Sequence, residues 1–182
     1  DCNVLKQKVH EEMIYMIGSL RNERVPFIGN WLREQGFEVF DDWFSPGPEA
    51  DDYWRKYEQA RGRTYLEALK GYAGTHVFEF DKHHLSRATQ VLLVLPAGKS
   101  GHLELGWALG KGKPGYILLE KDEPERWDVM YQFATGVFGN KEDLLPELVK
   151  TKQRPNCETL DRKHIWGFSY GDKCINCGFS TK

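Results

Sequence analysis

The most apolar run of the chain is QVLLVL at residues 90–95, followed directly by PAGKSG at 96–101 and HLELGWALG at 102–110. A short apolar run bounded by turn residues is typical of a strand buried on both faces of a parallel sheet. Proline and glycine predict a loop after it. The next segment predicts a helix that ends at Gly110. Residues 90–110 are therefore predicted to form a strand–loop–helix unit.

The same alternation extends in both directions along the chain. Further strands are predicted at 13–17, 37–40, 115–119 and 136–138. Helices are predicted at 25–35, 53–72, 76–88, 126–133 and 141–150, and a loop at 41–52. This pattern indicates an α/β fold, in which a parallel sheet carries helices on both faces. Five strands suit the flavodoxin-like order 2-1-3-4-5, which opens its ligand crevice beyond the carboxyl ends of strands 1 and 3.

Composition excludes several classes of protein. Hydrophobic residues make up 40% of the 182 residues, enough for a core, so wholesale disorder is excluded. The 25 basic and 27 acidic residues give a net charge of −2, which disfavours a protein that coats nucleic acid. No stretch approaches 18 uninterrupted apolar residues, and residues 1–12 are polar. We therefore expect no membrane span and no secretory signal, and predict a cytoplasmic protein.

The composition changes after residue 150. We predict an N-terminal extension at 1–12, a catalytic domain at 13–150, and a linker and tail at 151–182. The tail holds six basic and three acidic residues and three of the four cysteines. Such clustering disfavours a disulfide scaffold. The basic tail also leaves weak support for nucleic-acid contact.

The tail carries a predicted structural zinc site. Its four ligands would be Cys157, His164, Cys174 and Cys177. A Cys-x-x-Cys knuckle aims two thiolates at one point, and four nitrogen or sulfur ligands leave no open position. The alternatives are three free thiols with a core histidine, or a site in which His10 or Cys2 replaces His164.

Two loops are candidate binding segments. After strand 1, Gly18, Ser19 and Arg21 suit an anion, although an ordinary strand–helix turn would look the same. After the central strand, Gly98, Ser100 and Gly101 precede Glu104 in a largely apolar helix. Glu104 is therefore either buried and functional or part of a narrow solvated stripe. The phosphate-loop spacing is absent here.

A third candidate is Asp81, for which a surface aspartate near a helix N-terminus is the plainer interpretation. His83 and His84 follow it closely. Adjacent residues point to different faces of a helix and cannot form a metal pair. Both histidines are predicted to be surface residues.

Residues 13–150 resemble nucleoside 2-deoxyribosyltransferases and the related deoxynucleoside-monophosphate N-glycosidases. The resemblance rests on Ile14-Tyr15, Gly18-Ser-Leu-Arg21, Asp81 and the stretch Glu104-Leu-Gly-Trp-Ala-Leu109. It covers about three-quarters of the chain and implies an enzyme that cleaves the N-glycosidic bond of 2′-deoxynucleosides or their 5′-monophosphates. By this resemblance Glu104 is the nucleophile, Tyr15 orients it, and Asp81 serves sugar binding and proton transfer. Transfer to a second nucleobase and hydrolysis by water both remain open.

The resemblance is incomplete in one loop. Many deoxyribosyltransferases carry another acidic residue ahead of the nucleophile, whereas residues 97–101 hold none. Lys99 and Ser100, with Ser19 and Arg21, would instead suit a 5′-phosphate. Asp41, Asp42 and Trp43 would read the base through carboxylate acceptors and a stacking face, unless they belong to an acidic surface loop.

Two wider expectations complete the prediction. The resemblance implies a homo-oligomer, and residues 127–131 are apolar enough for an interface or for core packing. The rival function is a non-catalytic nucleotide-binding module whose zinc-organised tail contacts a protein.

Overall fold

A five-stranded parallel sheet forms the centre of the computed structural model, which describes residues 12–121 and 127–152. The strands are β1 (Met13–Ile17), β2 (Glu38–Phe40), β3 (Gln90–Val94), β4 (Gly115–Leu118) and β5 (Gly136–Phe138). They lie in the order β2-β1-β3-β4-β5, and every neighbouring pair is parallel. The predicted flavodoxin-like order is confirmed.

Six α-helices connect or follow the strands in the described part of the chain. They are α1 (Arg24–Glu34), α2 (Ala50–Ala60), α3 (Tyr65–Ala68), α4 (Tyr72–Arg87), α5 (Lys99–Gly110) and α6 (Lys141–Lys152). The described residues up to Lys141 belong to one compact unit, and those from Glu142 belong to a second. None of these helices is long and apolar enough to cross a membrane.

Strand alternation divides the core between the two faces of the sheet. Tyr15 and Ile17 of β1 pack with Leu85 of α4 and Leu105 of α5. Helix α1 contacts β1 and β2 and buries Val25, Ile28 and Leu32. Successive strand residues point to opposite faces, so Ile14 and Met16 face away from α4 and α5. Helices therefore cover both faces around β1.

The single helix predicted over residues 53–72 is wrong. Helix α2 ends at Ala60, and the chain turns at Gly62, whose φ of +72° lies in the left-handed region that favours glycine. Thr64 then begins α3 with a capping box, in which its side chain and that of Glu67 satisfy each other's backbone N–H groups. These two signals divide the predicted helix, and α4 begins at Tyr72 instead of residue 76.

The remaining differences are smaller. The predicted loop at 41–52 contains a 3-10 helix, Asp42–Phe44, and the first residues of α2. The helix predicted at 126–133 is a 3-10 helix over Val129–Phe133.

Candidate active site

Tyr15 lies at the centre of β1, on the face that α4 and α5 cover. Its side chain is only 1% exposed. The ring stacks on Phe40 of β2, with 5.3 Å between centroids. Burial of the ring and its stacking on Phe40 hold the phenol group in one direction.

Glu104 faces the sheet because of where α5 approaches it. Gly101, Glu104, Leu105 and Ala108 share one side of the helix, and all but Glu104 are fully buried. A methyl group at Gly101 would lie 3.1 Å from Ile17 Cγ2 and 3.2 Å from Leu93 Cδ1, so glycine permits this close approach. The carboxyl is partly buried and does not lie on a solvated stripe.

Asp81 occupies the middle of α4, far from either helix end. Leu85, on the same side of α4, and Ala88, which directly follows the helix, belong to the core cluster that contains Tyr15. The Oδ1 atom of Asp81 is buried and has no hydrogen-bond partner among the described residues. The interpretation of Asp81 as a surface aspartate near a helix N-terminus is therefore wrong.

These three groups form one electrostatic cluster. Burial and then Asp81 raise the pKa of Glu104 to about 7. Burial raises the pKa of Asp81 to about 6. Burial, Glu104 and Asp81, in that order, raise the pKa of Tyr15 far above its ordinary value, so its hydroxyl stays protonated at neutral pH. Two carboxyls that titrate near neutrality beside a neutral phenol suit general acid and nucleophile chemistry.

The turn after β1 is tied to the ends of β3 and β4. The buried Asn22 side chain donates to the carbonyls of Val94 and Pro96, each over 3.1 Å. Arg24 donates to the carbonyls of Leu95 and Leu119. These four bonds hold the loops beyond the carboxyl ends of the strands in one arrangement.

The two predicted anion-binding loops both lie at this edge. Ser19 Oγ accepts from the N–H of Arg21 over 3.2 Å. Arg21 is exposed and forms an ion pair with Asp52 of α2 at 2.9 Å. Gly98 is the N-cap of α5, and exposed Lys99 and Ser100 begin that helix. The free N–H groups of a first helical turn attract anions.

The predicted base-reading residues differ in whether their polar groups are available to a ligand. Asp42 is exposed in the 3-10 helix after β2. Trp43 is partly buried, its Nε1 donates to the Met16 carbonyl over 2.8 Å, and its ring lies beside Gly18. The indole N–H is thus already used to attach this segment to β1.

Sequence reasoning missed His84. Its ring is half-buried and stacks on Phe40, with 3.9 Å between centroids and 11° between planes. The prediction that His84 is a surface residue is wrong, whereas neighbouring His83 is exposed. The signal was its spacing, because His84 lies one helical turn after Asp81 and therefore shares its buried side.

The four predicted zinc ligands, Cys157, His164, Cys174 and Cys177, lie outside the described residues. Within residues 12–121 and 127–152, no group of three or more histidine, cysteine, aspartate or glutamate side chains could hold a metal ion.

A separate cleft of about 470 Å³ lies against α2 and α3. Its lining includes Trp54, Glu58, Arg63 and Tyr65 but none of the three clustered groups. The candidate site is therefore identified by the clustered carboxyl and phenol groups of Tyr15, Asp81 and Glu104 and not by the size of a cavity.

Seven chains of solved structures are similar to this chain, including a 2-deoxyribosyltransferase and a CMP N-glycosidase. No protein-family model and no curated protein sequence matches the chain. A 2-deoxyribosyltransferase from Bacillus psychrosaccharolyticus is 18% identical, with a TM-score of 0.49 over 72% of this chain and 89% of that one. A CMP N-glycosidase from Clostridium botulinum is 13% identical, with a TM-score of 0.45 over 75% of this chain and 98% of that one.

Proposed function

We propose that the chain is an enzyme that cleaves the N-glycosidic bond of 2′-deoxynucleosides or their 5′-monophosphates. The observation that carries this proposal is the cluster of Tyr15, Asp81 and Glu104, which share an electrostatic environment on one face of the sheet. Placing two carboxyls together in a partly buried site costs stability. A glycosidase needs this arrangement despite its cost in stability, because the reaction requires both an acid and a nucleophile near neutral pH.

In the first half-reaction, an oxygen of ionised Glu104 attacks C1′ of the deoxyribose. The C1′–N bond breaks, and its electron pair leaves with the base. The reaction starts from the form of the pair in which Asp81 holds the shared proton, which the pKa values of about 6 for Asp81 and about 7 for Glu104 make the minor of the two singly protonated forms. Asp81 gives that proton to the base, which makes the base a better leaving group. The product is a glycosyl ester on Glu104. Tyr15 donates its hydroxyl hydrogen to the Glu104 carboxylate and so holds it in line.

In the second half-reaction, an acceptor attacks C1′ and the ester bond to Glu104 breaks. Asp81 takes the proton that the acceptor loses, and both carboxyls return to their starting states. Another nucleobase as acceptor gives transfer, and water gives hydrolysis. Both outcomes share the first half-reaction.

The substrate that we favour carries a 5′-phosphate. The N-terminus of α5 and Ser19 supply donors at the same edge of the sheet, and exposed Lys99 adds a positive charge. Arg21 is held by Asp52, but exposed ion pairs are weak, so the guanidinium can exchange Asp52 for a phosphate at little cost.

The experiment is an assay of base release from deoxynucleosides and deoxynucleoside monophosphates, followed by chromatography. Glu104→Ala should abolish release while thermal unfolding still shows a folded protein. Release at the parental rate by that variant would refute the nucleophile. A second nucleobase added to the assay separates the outcomes, because exchange product indicates transfer and free sugar alone indicates hydrolysis.

A nucleotide-binding module without catalysis is the rival function. It would bind deoxynucleoside monophosphates and release no base in the same assay. The paired carboxyls disfavour it, because a binding protein gains little from an aspartate oxygen buried without a partner.

We also propose that copies of this chain associate. Trp127, Val129 and Met130 are 79%, 65% and 62% exposed, whereas Tyr131 packs on the core. Adjacent exposed apolar side chains of this size favour an interface. Sedimentation should give a mass above that of one chain.

We further propose that the tail binds one structural zinc ion through Cys157, His164, Cys174 and Cys177. The support is their spacing alone. Elemental analysis should find one zinc per chain, lost in Cys174→Ser. A folded parent protein without zinc would refute the site.

A further inference from the structure

Asp81 and His84 lie one turn apart on the buried side of α4. Each has a buried polar atom without a hydrogen-bond partner among the described residues, Asp81 Oδ1 and His84 Nδ1. One of these atoms is an acceptor and the other can be a donor. Buried polar groups without partners are costly, and side chains one helical turn apart are neighbours, so a donor on one can bind an acceptor on the other.

The imidazole is held in place from two sides. It stacks on Phe40, and Phe80 meets it edge-on, with 4.8 Å between centroids. Phe40 in turn stacks on Tyr15. His84 therefore belongs to an aromatic column that ends at Tyr15, and its ring is held by Phe40 and Phe80.

The charged neighbours favour a neutral imidazole. Burial, His83 and Arg87 lower the pKa of His84, and Asp42 opposes them. Neutral imidazole carries one N–H, on Nδ1 or on Nε2. The charge of Asp81 also raises the pKa values of Glu104 and Tyr15, so its carboxyl lies near both groups.

We propose that His84 is a positioning residue, whose neutral ring donates Nδ1–H to Oδ1 of Asp81 and leaves Oδ2 to exchange the proton with the base. Its role in catalysis rests on the proposed function, but the hydrogen bond itself does not. The bond orients the carboxyl and stabilises the carboxylate that remains on Asp81 once the base has taken its proton.

Three variants separate this bond from packing. His84→Phe keeps an aromatic ring on Phe40 and removes the donor. His84→Asn keeps an N–H near the place of Nδ1 and loses the stacking. His83→Phe is the matched control, because its side chain is exposed and lies beside His84.

The first measurement is carbon NMR titration of the Asp81 carboxyl in the full chain without substrate. We expect His84→Phe to raise the pKa of Asp81 by about one unit, the equivalent of one hydrogen bond. His84→Asn and His83→Phe should stay close to the parent. Equal shifts in His84→Phe and His84→Asn, or none in His84→Phe, would overturn the proposal.

A second measurement needs no variant. Nitrogen NMR of the parent should find the proton of His84 on Nδ1, and a proton on Nε2 would overturn the hydrogen bond. In the base-release assay, kcat should fall about tenfold in His84→Phe and recover in part in His84→Asn. A parent without glycosidic activity would refute the proposed function and leave both NMR results standing.

Discussion

The carboxyl of Glu104 on α5 lies in the field of Asp81 on α4, and burial together with that field raises the pKa of Glu104 to about 7. Asp81 itself has a pKa raised to about 6 by burial. The two groups come from different helices and share a single buried face with Tyr15. As a result, one proton distributed between the two carboxyls is the prevailing state between these two values.

We expect a bell-shaped dependence of kcat/KM on pH for base release. The reaction needs one carboxyl ionised and the other protonated, and the pair titrates near pH 6 and 7. The maximum should lie between those values whichever carboxyl holds the proton. Initial rates between pH 4.5 and 9 test this. A profile that is level across that range would contradict a role for the pair.

Glu104→Gln should stabilise the protein at high pH. The pKa of Glu104 rises on folding from 4.5 to about 7, so the native state favours the neutral acid. Stability is thus full below pH 4.5 and is lost as the pH rises through 7. The variant avoids this loss and should gain about 1–3 kcal/mol of unfolding free energy at pH 8.

Denaturant unfolding at pH 4 and pH 8 measures that gain. The two proteins should be alike at pH 4. Glu79→Gln is the control, because Glu79 is an exposed residue of α4 and should show no comparable gain at either pH. A Glu104→Gln variant less stable than the parent at pH 8 would show that the carboxylate stabilises the fold.

The sequence predicted the sheet better than the helices. QVLLVL became β3 because a buried parallel strand needs apolar residues on both faces, which is a local property. The break at Gly62 was missed, because apolar spacing continues across it while one glycine and one cap redirect the chain. The ion pair of Arg21 with Asp52 depends on where α2 lies, which no local pattern specifies.

In the candidate site, too, the features that depend on how distant elements pack could not be predicted from local pattern. The family resemblance named Tyr15, Asp81 and Glu104, and the structure places Tyr15 on a face of the sheet at the centre of β1. The adjacency of His84 to His83 bears only on metal binding and does not predict which of the two rings is buried. Its burial follows from the pairing of β2 with β1, which brings Phe40 beneath the ring.

Gly101→Ala should destabilise the protein and lower its activity. The added methyl group would crowd Ile17 and Leu93 and push α5, with Glu104, away from the sheet. Overpacking of this kind costs about 1–3 kcal/mol.

Gly106→Ala is the matched control, since nothing lies within 4 Å of its would-be methyl group. Alanine in a helix should stabilise there by about 0.5–1 kcal/mol. Thermal unfolding and base release measure both effects, and equal changes in the two variants would contradict the packing argument.

Tyr15→Phe should lower kcat with little change in the fold. The ring keeps its stacking on Phe40, while the hydroxyl that holds Glu104 is removed. Because the pKa of Tyr15 is raised far above neutrality, the parent hydroxyl acts as a donor at every pH of the assay. Loss of one such donor should cost about 10- to 100-fold in kcat. KM should change less, since the bond acts on the nucleophile and not on the bound substrate.

The control for this prediction is Tyr57→Phe, which removes the hydroxyl of a tyrosine that is 52% exposed on α2. That variant should keep the parental kcat. Full activity in Tyr15→Phe would mean that Glu104 is oriented without the phenol, by packing of α5 through Gly101 and Leu105 alone. A loss that appears in KM and spares kcat would instead assign Tyr15 to substrate binding. Comparing the two constants in one assay therefore decides between orienting the nucleophile and contacting the sugar.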